Sequence, residues 1–233
     1  MRESRSETGG ILRVHALTGF VGERFAPILK RFQALNPGMR LDVRVGDEVV
    51  DPIKAGVDCA LNIFPAASSE LISRNLFTVR RVFCASPAYL AQHAPLSHPS
   101  QLHEHPLGLY SDYPARDQWN FTSSNGEASI YLHAALLSNN IHLLRDYAIE
   151  DAGIVCLPTM VCSDAILAGR LQIILPAFRL SSFTMTAVYA KTSRNLPKLQ
   201  RFLSFMSTSF PKVPEWDAEL VRQRLLPDGF LKS

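Results

Sequence analysis

Four of the seven histidines lie close together in one segment of the chain, as His93, His98, His103 and His105. Imidazole is a frequent zinc ligand and a frequent general base, so such a cluster could mark a metal site or an enzyme. The spacing matches no zinc motif, however, and Pro99 and Pro106 interrupt the segment. The pattern therefore favours a solvated loop and predicts no metal.

The remaining acid and base candidates are Asp112, Asp117, His133 and His142. They form no recognisable set of acid, base and nucleophile. The sequence contains no glycine-rich phosphate loop and no Gly-x-Ser-x-Gly elbow. We therefore expect no enzymatic activity and no cofactor. A stoichiometric bound metal or measurable turnover would overturn that expectation.

The four cysteines are Cys59, Cys84, Cys156 and Cys162, and no pair has the Cys-x-x-Cys spacing of a metal or redox site. Three of them lie in apolar, strand-like runs. Cysteines in such surroundings are usually buried and inert, so we expect free thiols rather than a disulfide switch.

Composition indicates an ordinary globular protein. The chain has 233 residues, 47% of them hydrophobic and 19% charged, which suffices for two modest lobes with separate cores. No apolar run approaches the roughly 20 residues of a membrane span, and the first ten residues carry no signal-peptide pattern. We therefore expect a cytoplasmic protein that does not contact membranes. The net charge of +3 does not by itself indicate a nucleic-acid surface.

The predicted secondary structure of the first lobe alternates between strands and helices. Residues 11–16 predict a strand, and a helix follows, with an apolar face made of Val21, Phe25, Ile28, Leu29, Phe32 and Leu35. Residues 40–45 alternate strictly between apolar and polar, which suggests a strand at the exposed edge of a sheet. A brief helix at 49–55 and a strand at 59–63 complete an α/β lobe.

A second lobe follows residues 80–90, where an apolar strand runs into Ser86 and Pro87, a typical helix start. Strands are predicted at 107–110, 119–123, 129–134, 154–157 and 171–175. Helices are predicted after the capping signal at 138–140 and at 160–168. Residues 184–190 predict a strand that returns to the first lobe, and 197–210 a helix that buries Leu199, Phe202, Leu203 and Met206. Two lobes joined by two strands predict a clamp that holds a small molecule.

A series of residues resembles the effector-binding domain of LysR-type transcriptional regulators, in order and in spacing. It comprises residues 10–16, Phe20, 25–27, Phe32, Pro37, 41–43, 50–51, 56–58, Ala60, 80–90, 153–154, 157–158 and 168–171. This resemblance covers about residues 10 to 210.

The resemblance implies an α/β fold of two Rossmann-like lobes joined by two crossover strands, similar to type 2 periplasmic binding proteins. It places lobe I at residues 10–86 and 190–212, lobe II at 87–189 and a tail of unclear role at 213–233. It also implies a homodimer or tetramer, in which residues 20–35 pack against residues 141–150 of a partner. DNA binding is expected only through an N-terminal winged helix-turn-helix, which this sequence lacks. A solute-binding protein without a regulatory role remains the alternative.

Loops that follow strands should face a ligand in such a clamp, and backbone N–H groups at helix starts favour an anion, such as a carboxylate. The predicted effector-binding residues are Leu17, Thr18, Gly19, Phe20, Asn62, Phe64, Ser68, Ser86, Tyr110, Ser111, Asn139, Asn140 and Thr159. For several of them a local role competes: Ser86, Asn140 and the adjacent Ser138 can cap helices, and Phe64 can belong to the core.

Two departures from the family pattern affect this site. Family members often carry an arginine, and a glycine two positions later, where this chain has Asn62 and Phe64. They also often carry Pro-x-Ser in place of residues 17–19. Without that cation, and with a phenyl ring in place of glycine, we expect a smaller or more apolar pocket. The sequence does not identify the effector, the target genes, or whether the regulator activates or represses.

Overall fold

The computed structural model of the chain describes residues 10–22, 24–64, 68–113 and 118–232. They divide into two compact units. Unit 1 contains the described residues up to Thr78 together with Phe183–Lys212, and unit 2 contains Val79–Ser182 together with the residues from Val213 onward. The chain thus passes between the units at 78/79 and at 182/183, whereas the sequence suggested lobe boundaries at 86/87 and 189/190. Asp117 lies outside the described residues.

Unit 1 is built on a five-stranded sheet with the strand order β2-β1-β3-β13-β4. Its strands are β1 (Gly10–Ala16), β2 (Met39–Val45), β3 (Cys59–Asn62), β4 (Leu71–Val79) and β13 (Phe183–Ala190). β1 is parallel to both β2 and β3, and β13 is antiparallel to β3. The predicted edge position of residues 40–45 is confirmed, because β2 is the terminal strand of this sheet.

The helices of unit 1 are α1 (Thr18–Val21), α2 (Phe25–Leu35), α3 (Pro52–Ala55) and α7 (Pro197–Ser209). The prediction of one continuous helix with an apolar face from Val21 to Leu35 was wrong, because α1 ends at Val21 and α2 begins at Phe25. Helix α7 buries the four side chains that the sequence pattern predicted. Burial of each such side chain contributes about 1.5–3 kcal/mol.

Unit 2 contains a mixed five-stranded sheet with the order β11-β5-β10-β6-β9. Its strands are β5 (Arg81–Ala85), β6 (Leu107–Tyr110), β9 (Leu136–Ser138), β10 (Ile154–Pro158) and β11 (Gln172–Ile174). β6 is parallel to β9 and β10, whereas β5 is antiparallel to β10 and β11. A small second sheet consists of β7 (Gln118–Ser123), β8 (Gly126–Tyr131) and β12 (Arg179–Leu180).

The helices of unit 2 are α4 (Pro87–Ala91), α5 (Ile141–Ile149), α6 (Thr159–Leu167) and α8 (Glu215–Arg222). Short 3₁₀ helices span Pro99–Glu104 and Asp228–Lys232. The residue before β10 is Gly153, at φ 152°, where a Cβ atom would lie 2.3 Å from the Pro106 carbonyl oxygen. Only glycine fits this close approach. Among the described residues, no helix is long and apolar enough to cross a membrane.

Candidate functional site

Most of the effector-binding residues that the sequence predicted in the first lobe lie at the carboxyl ends of the parallel strands of unit 1. Because Ala16 of β1 pairs with Leu61 of β3, the two strands end side by side. Residues 17–19 leave the sheet at the end of β1, and residues 63 and 64 leave it after Asn62, the last residue of β3. In α/β sheets, ligands bind outside the carboxyl ends of the strands. The fold therefore brings Thr18, Gly19 and Asn62 to an edge suited to a ligand.

Phe20 and Leu17 serve mainly to pack unit 1. Both side chains are buried, and the Phe20 ring lies 4.7 Å from Phe25, 5.7 Å from Phe77 and 5.9 Å from Phe210, measured between ring centroids. Thr18 and Gly19 are half-buried. Thr18 and Gly19 are consequently the better placed of these four residues to meet a small molecule.

Asn62 is completely buried, at the last position of β3. Its Nδ2 donates to the Val50 carbonyl at 3.0 Å, which assigns the amide orientation, because only the nitrogen can donate there. The Oδ1 atom then has no hydrogen-bond partner within the described part of the chain. A buried acceptor without a partner is costly, so this oxygen is available to accept a hydrogen bond.

Phe64 and Ser68 are less involved with this edge. The Phe64 ring packs edge-on against Phe183 at 5.0 Å between centroids. Ser68 is exposed, and its hydroxyl accepts the Glu70 N–H at 3.3 Å, which is a local turn contact.

Unit 2 presents an equivalent edge at the ends of β6, β9 and β10, which run in the same direction. Tyr110 pairs with Ser138 in the register of β6 and β9, and the Ser111 N–H donates to the Ser138 carbonyl at 3.0 Å. Gly108 pairs with Val155 of β10, so Thr159 follows β10 at this same edge. The predicted residues 110, 111, 139, 140 and 159 are therefore brought together.

The side chains at this second edge differ in how they are used. Asn140 caps α5, because its Oδ1 accepts the N–H groups of His142 and Leu143 at 3.0 Å each. The neighbouring Asn139 is exposed. The Ser111 hydroxyl donates to Asp112 at 2.8 Å, and the buried Tyr110 ring lies 5.1 Å from that of Tyr113.

Thr159 is buried, and it fixes the peptide that leads into β5. Its backbone N–H donates to the Arg80 carbonyl at 2.9 Å, and its Oγ1 donates to the same oxygen at 3.2 Å. The sequence predicted a helix over 160–168, and α6 spans Thr159–Leu167, without a side-chain cap.

Ser86 does not join these residues. Strand β5 is antiparallel to β10, with Arg81 opposite Pro158 and Cys84 opposite Val155, so Ser86 lies beside the amino end of β10. Its hydroxyl accepts the Tyr89 N–H at 3.0 Å and donates to Asp151. Ser86 thus caps α4 at the opposite edge of the sheet from Thr159.

The four cysteines are free and buried. Burial raises the pKa of Cys156 to about 12, and it also raises the pKa of Cys59. The thiols of Cys59 and Cys156 are therefore protonated at neutral pH and poor nucleophiles.

The histidine loop has structural contacts. His98 Nδ1 accepts the Ser100 N–H at 3.2 Å and caps the 3₁₀ helix, while His105 Nδ1 lies 2.7 Å from the Tyr89 hydroxyl. Burial, and next the neighbouring His93, lower the pKa of His105. No group of three or more His, Cys, Asp or Glu residues suited to a metal ion occurs in the described ranges.

The sequence did not single out Asp217, which pairs with Arg80 in the interior of unit 2. It did not assign Arg81 a role either, although the Arg81 guanidinium lies 4.7 Å from the Tyr113 ring centroid and donates to the Ser181 carbonyl at 2.9 Å. One signal was available, because Asp217 falls on the same helical face as Trp216 and Leu220. A carboxylate on an apolar helical face suggests a buried partner.

Comparison with known proteins agrees with the fold. The family described as LysR substrate binding domain matches residues 5–211. The HTH-type transcriptional regulator DmlR of Escherichia coli (strain K12) is 26% identical over 220 residues, which cover 90% of this chain and 68% of that protein.

Two solved structures are similar. The regulatory domain of CrgA, a LysR-type transcriptional regulator from Neisseria meningitidis, superposes with a TM-score of 0.77 at 25% identity, over 86% of this chain and 98% of that one. The full-length Vibrio cholerae virulence activator AphB gives a TM-score of 0.75 at 21% identity, over 88% and 70% of the respective chains. The latter likeness shows the fold alone.

Proposed function

The chain belongs to the LysR-type transcriptional regulators, as a substrate-binding domain with the fold of type 2 periplasmic binding proteins, and from this premise we propose that it senses a small organic effector. The named relatives are regulators, which favours a sensor over an enzyme and over a solute-binding protein without a regulatory role. In the full regulator, effector binding then controls transcription of target genes in the cytoplasm.

The observation that carries this proposal is the position of polar groups at the carboxyl edges of parallel strands in both units. Thr18, Gly19 and Asn62 provide them in unit 1, and Ser111 and Asn139 provide them in unit 2. In α/β sheets, ligands bind outside the carboxyl ends of the strands. We therefore propose that these polar groups contact the effector.

The effector we propose is a carboxylate that also carries a hydrogen-bond donor. The Thr18 hydroxyl and the start of α6, which has no side-chain cap, are suited to an anion. The buried Asn62 Oδ1, by contrast, can only accept. A hydroxyl or amine on the effector would donate to this oxygen. The arginine that family members often carry at this position has no acceptor and could not bind such a donor.

Thermal-shift measurements test the effector class with matched compounds. Lactate is compared with propionate, and a panel of aromatic and aliphatic acids is compared with the corresponding amides. A ligand at one hundred times its Kd stabilises the folded state by about 2.7 kcal/mol and raises the melting temperature. We expect acids to raise the melting temperature more than the corresponding amides do. Hydroxy acids should raise it more than their deoxy analogues do. Shifts with neutral compounds, and none with any acid, would refute the anionic effector.

Variants connect a positive result to the proposed edge. Thr18→Val removes one hydroxyl, and Asn62→Leu removes the buried amide, so both should abolish the shift. Ser86→Ala is the matched control, because Ser86 lies at the opposite edge of the unit 2 sheet. A shift that survives Thr18→Val and Asn62→Leu places the effector elsewhere.

We also propose that the domain forms a homodimer through α2 and α5. Leu35 on α2 is 71% exposed and Leu143 on α5 is 52% exposed, so each helix offers an apolar side chain to a partner. Light scattering at micromolar concentration should give a dimer, and Leu143→Glu should give a monomer. A monomeric wild-type chain would count against this assembly.

A further inference from the structure

The segment after the family match, residues 213–232, is an integral part of unit 2. It contains α8 and the 3₁₀ helix Asp228–Lys232, and it buries Trp216, Leu220, Leu226 and Phe230. We call this segment the C-terminal strap. The matched family region ends at residue 211, so the family gives the strap no role.

A buried ion pair connects the strap to the rest of unit 2. Arg80 Nη1 lies 2.9 Å from Asp217 Oδ2, and the two side chains are 5% and 0% exposed. Arg80 Nη2 donates to the Leu231 carbonyl at 3.0 Å, so one guanidinium contacts both ends of the strap. A second arginine, Arg179, donates to the Gly229 carbonyl at 3.0 Å.

Arg80 occupies a special position in the chain. It is the second residue of unit 2, between β4 and β5, directly after the chain has passed from unit 1. Its carbonyl accepts both hydrogen bonds from Thr159, at the carboxyl edge of β10. The connecting peptide is therefore held by its backbone on one side and by its side chain on the other.

The next residue contacts the other passage between the units. Arg81 donates to the carbonyl of Ser181, two residues before unit 1 resumes at Phe183. Consecutive arginines thus bind the strap and the return segment. The strap, the two passages and Thr159 form one continuous hydrogen-bonded set within unit 2.

We propose that the C-terminal strap holds the connecting peptide in place, and that Asp217 is a positioning residue that acts on Thr159 through Arg80. This inference rests on the proposed function only in so far as Thr159 belongs to the effector edge. A buried charge cannot lose its partner without a large penalty, so the strap and the connecting peptide are held or released together. The strap thereby fixes one of the two segments that connect the units.

Hydrogen exchange on the full chain tests the proposal without any ligand. Asp217→Asn removes the carboxylate charge but keeps the shape. We expect exchange of the amides at 79–86, and of the Thr159 amide, to accelerate about tenfold or more, because their opening becomes local rather than global. Peptides of α2 and α7 in unit 1 serve as internal references, and exchange at 79–86 and at Thr159 should accelerate more than theirs.

Glu219→Gln is the matched control, because Glu219 lies on the same helix and its carboxylate pairs locally with Arg222. It should leave residues 79–86 and 159 unaffected. Arg179→Met is the milder second variant, which frees the end of the strap without stranding a fully buried charge. If Asp217→Asn does not fold, Arg179→Met should still accelerate exchange at 79–86.

Acceleration confined to residues 213–232, with 79–86 and Thr159 unchanged, would overturn the proposal. Equal acceleration in Glu219→Gln would do the same, since any disturbance of α8 would then suffice. A failed effector screen does not produce either result, so the two proposals can fail separately.

Discussion

In each unit, a helix from the last part of the chain forms a long-range ion pair with the residue that precedes a strand. The two ion pairs differ in their exposure to solvent. In unit 1, Lys198 of α7 lies 2.6 Å from Asp58, with side chains 26% and 15% exposed. In unit 2, Asp217 of α8 pairs with Arg80, and both side chains are nearly or fully excluded from solvent. The unit 1 pair retains contact with water, and the unit 2 pair does not.

The difference shows how solvent determines the consequence of losing a partner. When a partly exposed charged side chain loses its partner, water can solvate the charge. A buried charged side chain is not solvated and keeps its full desolvation penalty. Lys198 also donates to the Ile11 carbonyl, and Asp58 also accepts the Arg13 N–H at 2.8 Å. The unit 1 pair therefore leaves its members with other partners.

The largest effect is expected for Asp217→Asn. Breaking one side of a buried pair typically costs about 3–5 kcal/mol, because the remaining charge loses its counter-charge at a desolvated position. The free energy of unfolding, measured with urea, should fall by that amount. Replacing both members, as Arg80→Met with Asp217→Leu, should recover most of the loss. A single substitution that costs under about 1 kcal/mol would remove the contrast between the units.

A smaller loss is expected for Lys198→Met in unit 1. A hydrogen bond to a charged group contributes about 1.5–3 kcal/mol, and partial exposure places this pair at or below the lower end. Urea unfolding in 1 M NaCl should reduce the difference between wild type and variant, because salt screens accessible charges. The Asp217→Asn loss should be insensitive to salt. Equal salt sensitivity of both variants would contradict the assignment.

The two neighbouring asparagines give a finer test within unit 2. Asn140→Ala removes the cap of α5 and should cost about 1 kcal/mol. Asn139→Ala removes an exposed side chain and should change stability by less than about 0.5 kcal/mol. If Asn139 contacts the effector, its variant should instead reduce the ligand-induced thermal shift. Chemical denaturation and thermal shift on the same pair separate the two roles.

The smallest expected effect is the pH dependence contributed by one histidine in each unit. Burial lowers the pKa of His15, with Glu48 acting in the opposite direction, and burial also lowers the pKa of His105. A lowered pKa means that the folded state disfavours the proton. This contribution is complete above the ordinary value near 6.5 and is lost as the pH falls through the folded pKa.

The free energy of unfolding should therefore decrease between pH 7.5 and pH 5. His15→Gln in unit 1 and His105→Gln in unit 2 should each reduce the dependence of the free energy of unfolding on pH. An unchanged slope in the double variant would show that other groups dominate.

The sequence predicted the elements whose burial follows a simple period. All four buried side chains of α7 were anticipated from helical spacing, and the edge position of β2 from strict alternation. Strand β4 was missed, because exposed Ser73 and Asn75 and the half-buried Arg74 obscure the apolar alternation of Leu71, Phe77 and Val79. The break between α1 and α2 was missed because the apolar spacing continues across it.

The candidate site was predictable where it depends on strand ends. Residues 17–19 and 111 follow strands that the sequence predicted, and parallel pairing then brings them to one edge in each unit, whereas strand β9, which precedes residues 139 and 140, was not predicted. Ser86 was grouped with Thr159 because nothing in the sequence shows that β5 is antiparallel to β10. The Arg80–Asp217 pair spans 137 positions along the chain, a separation over which local patterns carry no information.

The discontinuity of both units has a consequence for synthesis. Unit 1 requires Phe183–Lys212 and unit 2 requires α8, so neither can close while the ribosome is still translating the middle of the chain. The nascent β1, β2 and β3 must wait for β13, and the guanidinium of Arg80 must wait for Asp217. We expect a growing polypeptide with exposed apolar strands, one that chaperones bind until late in elongation.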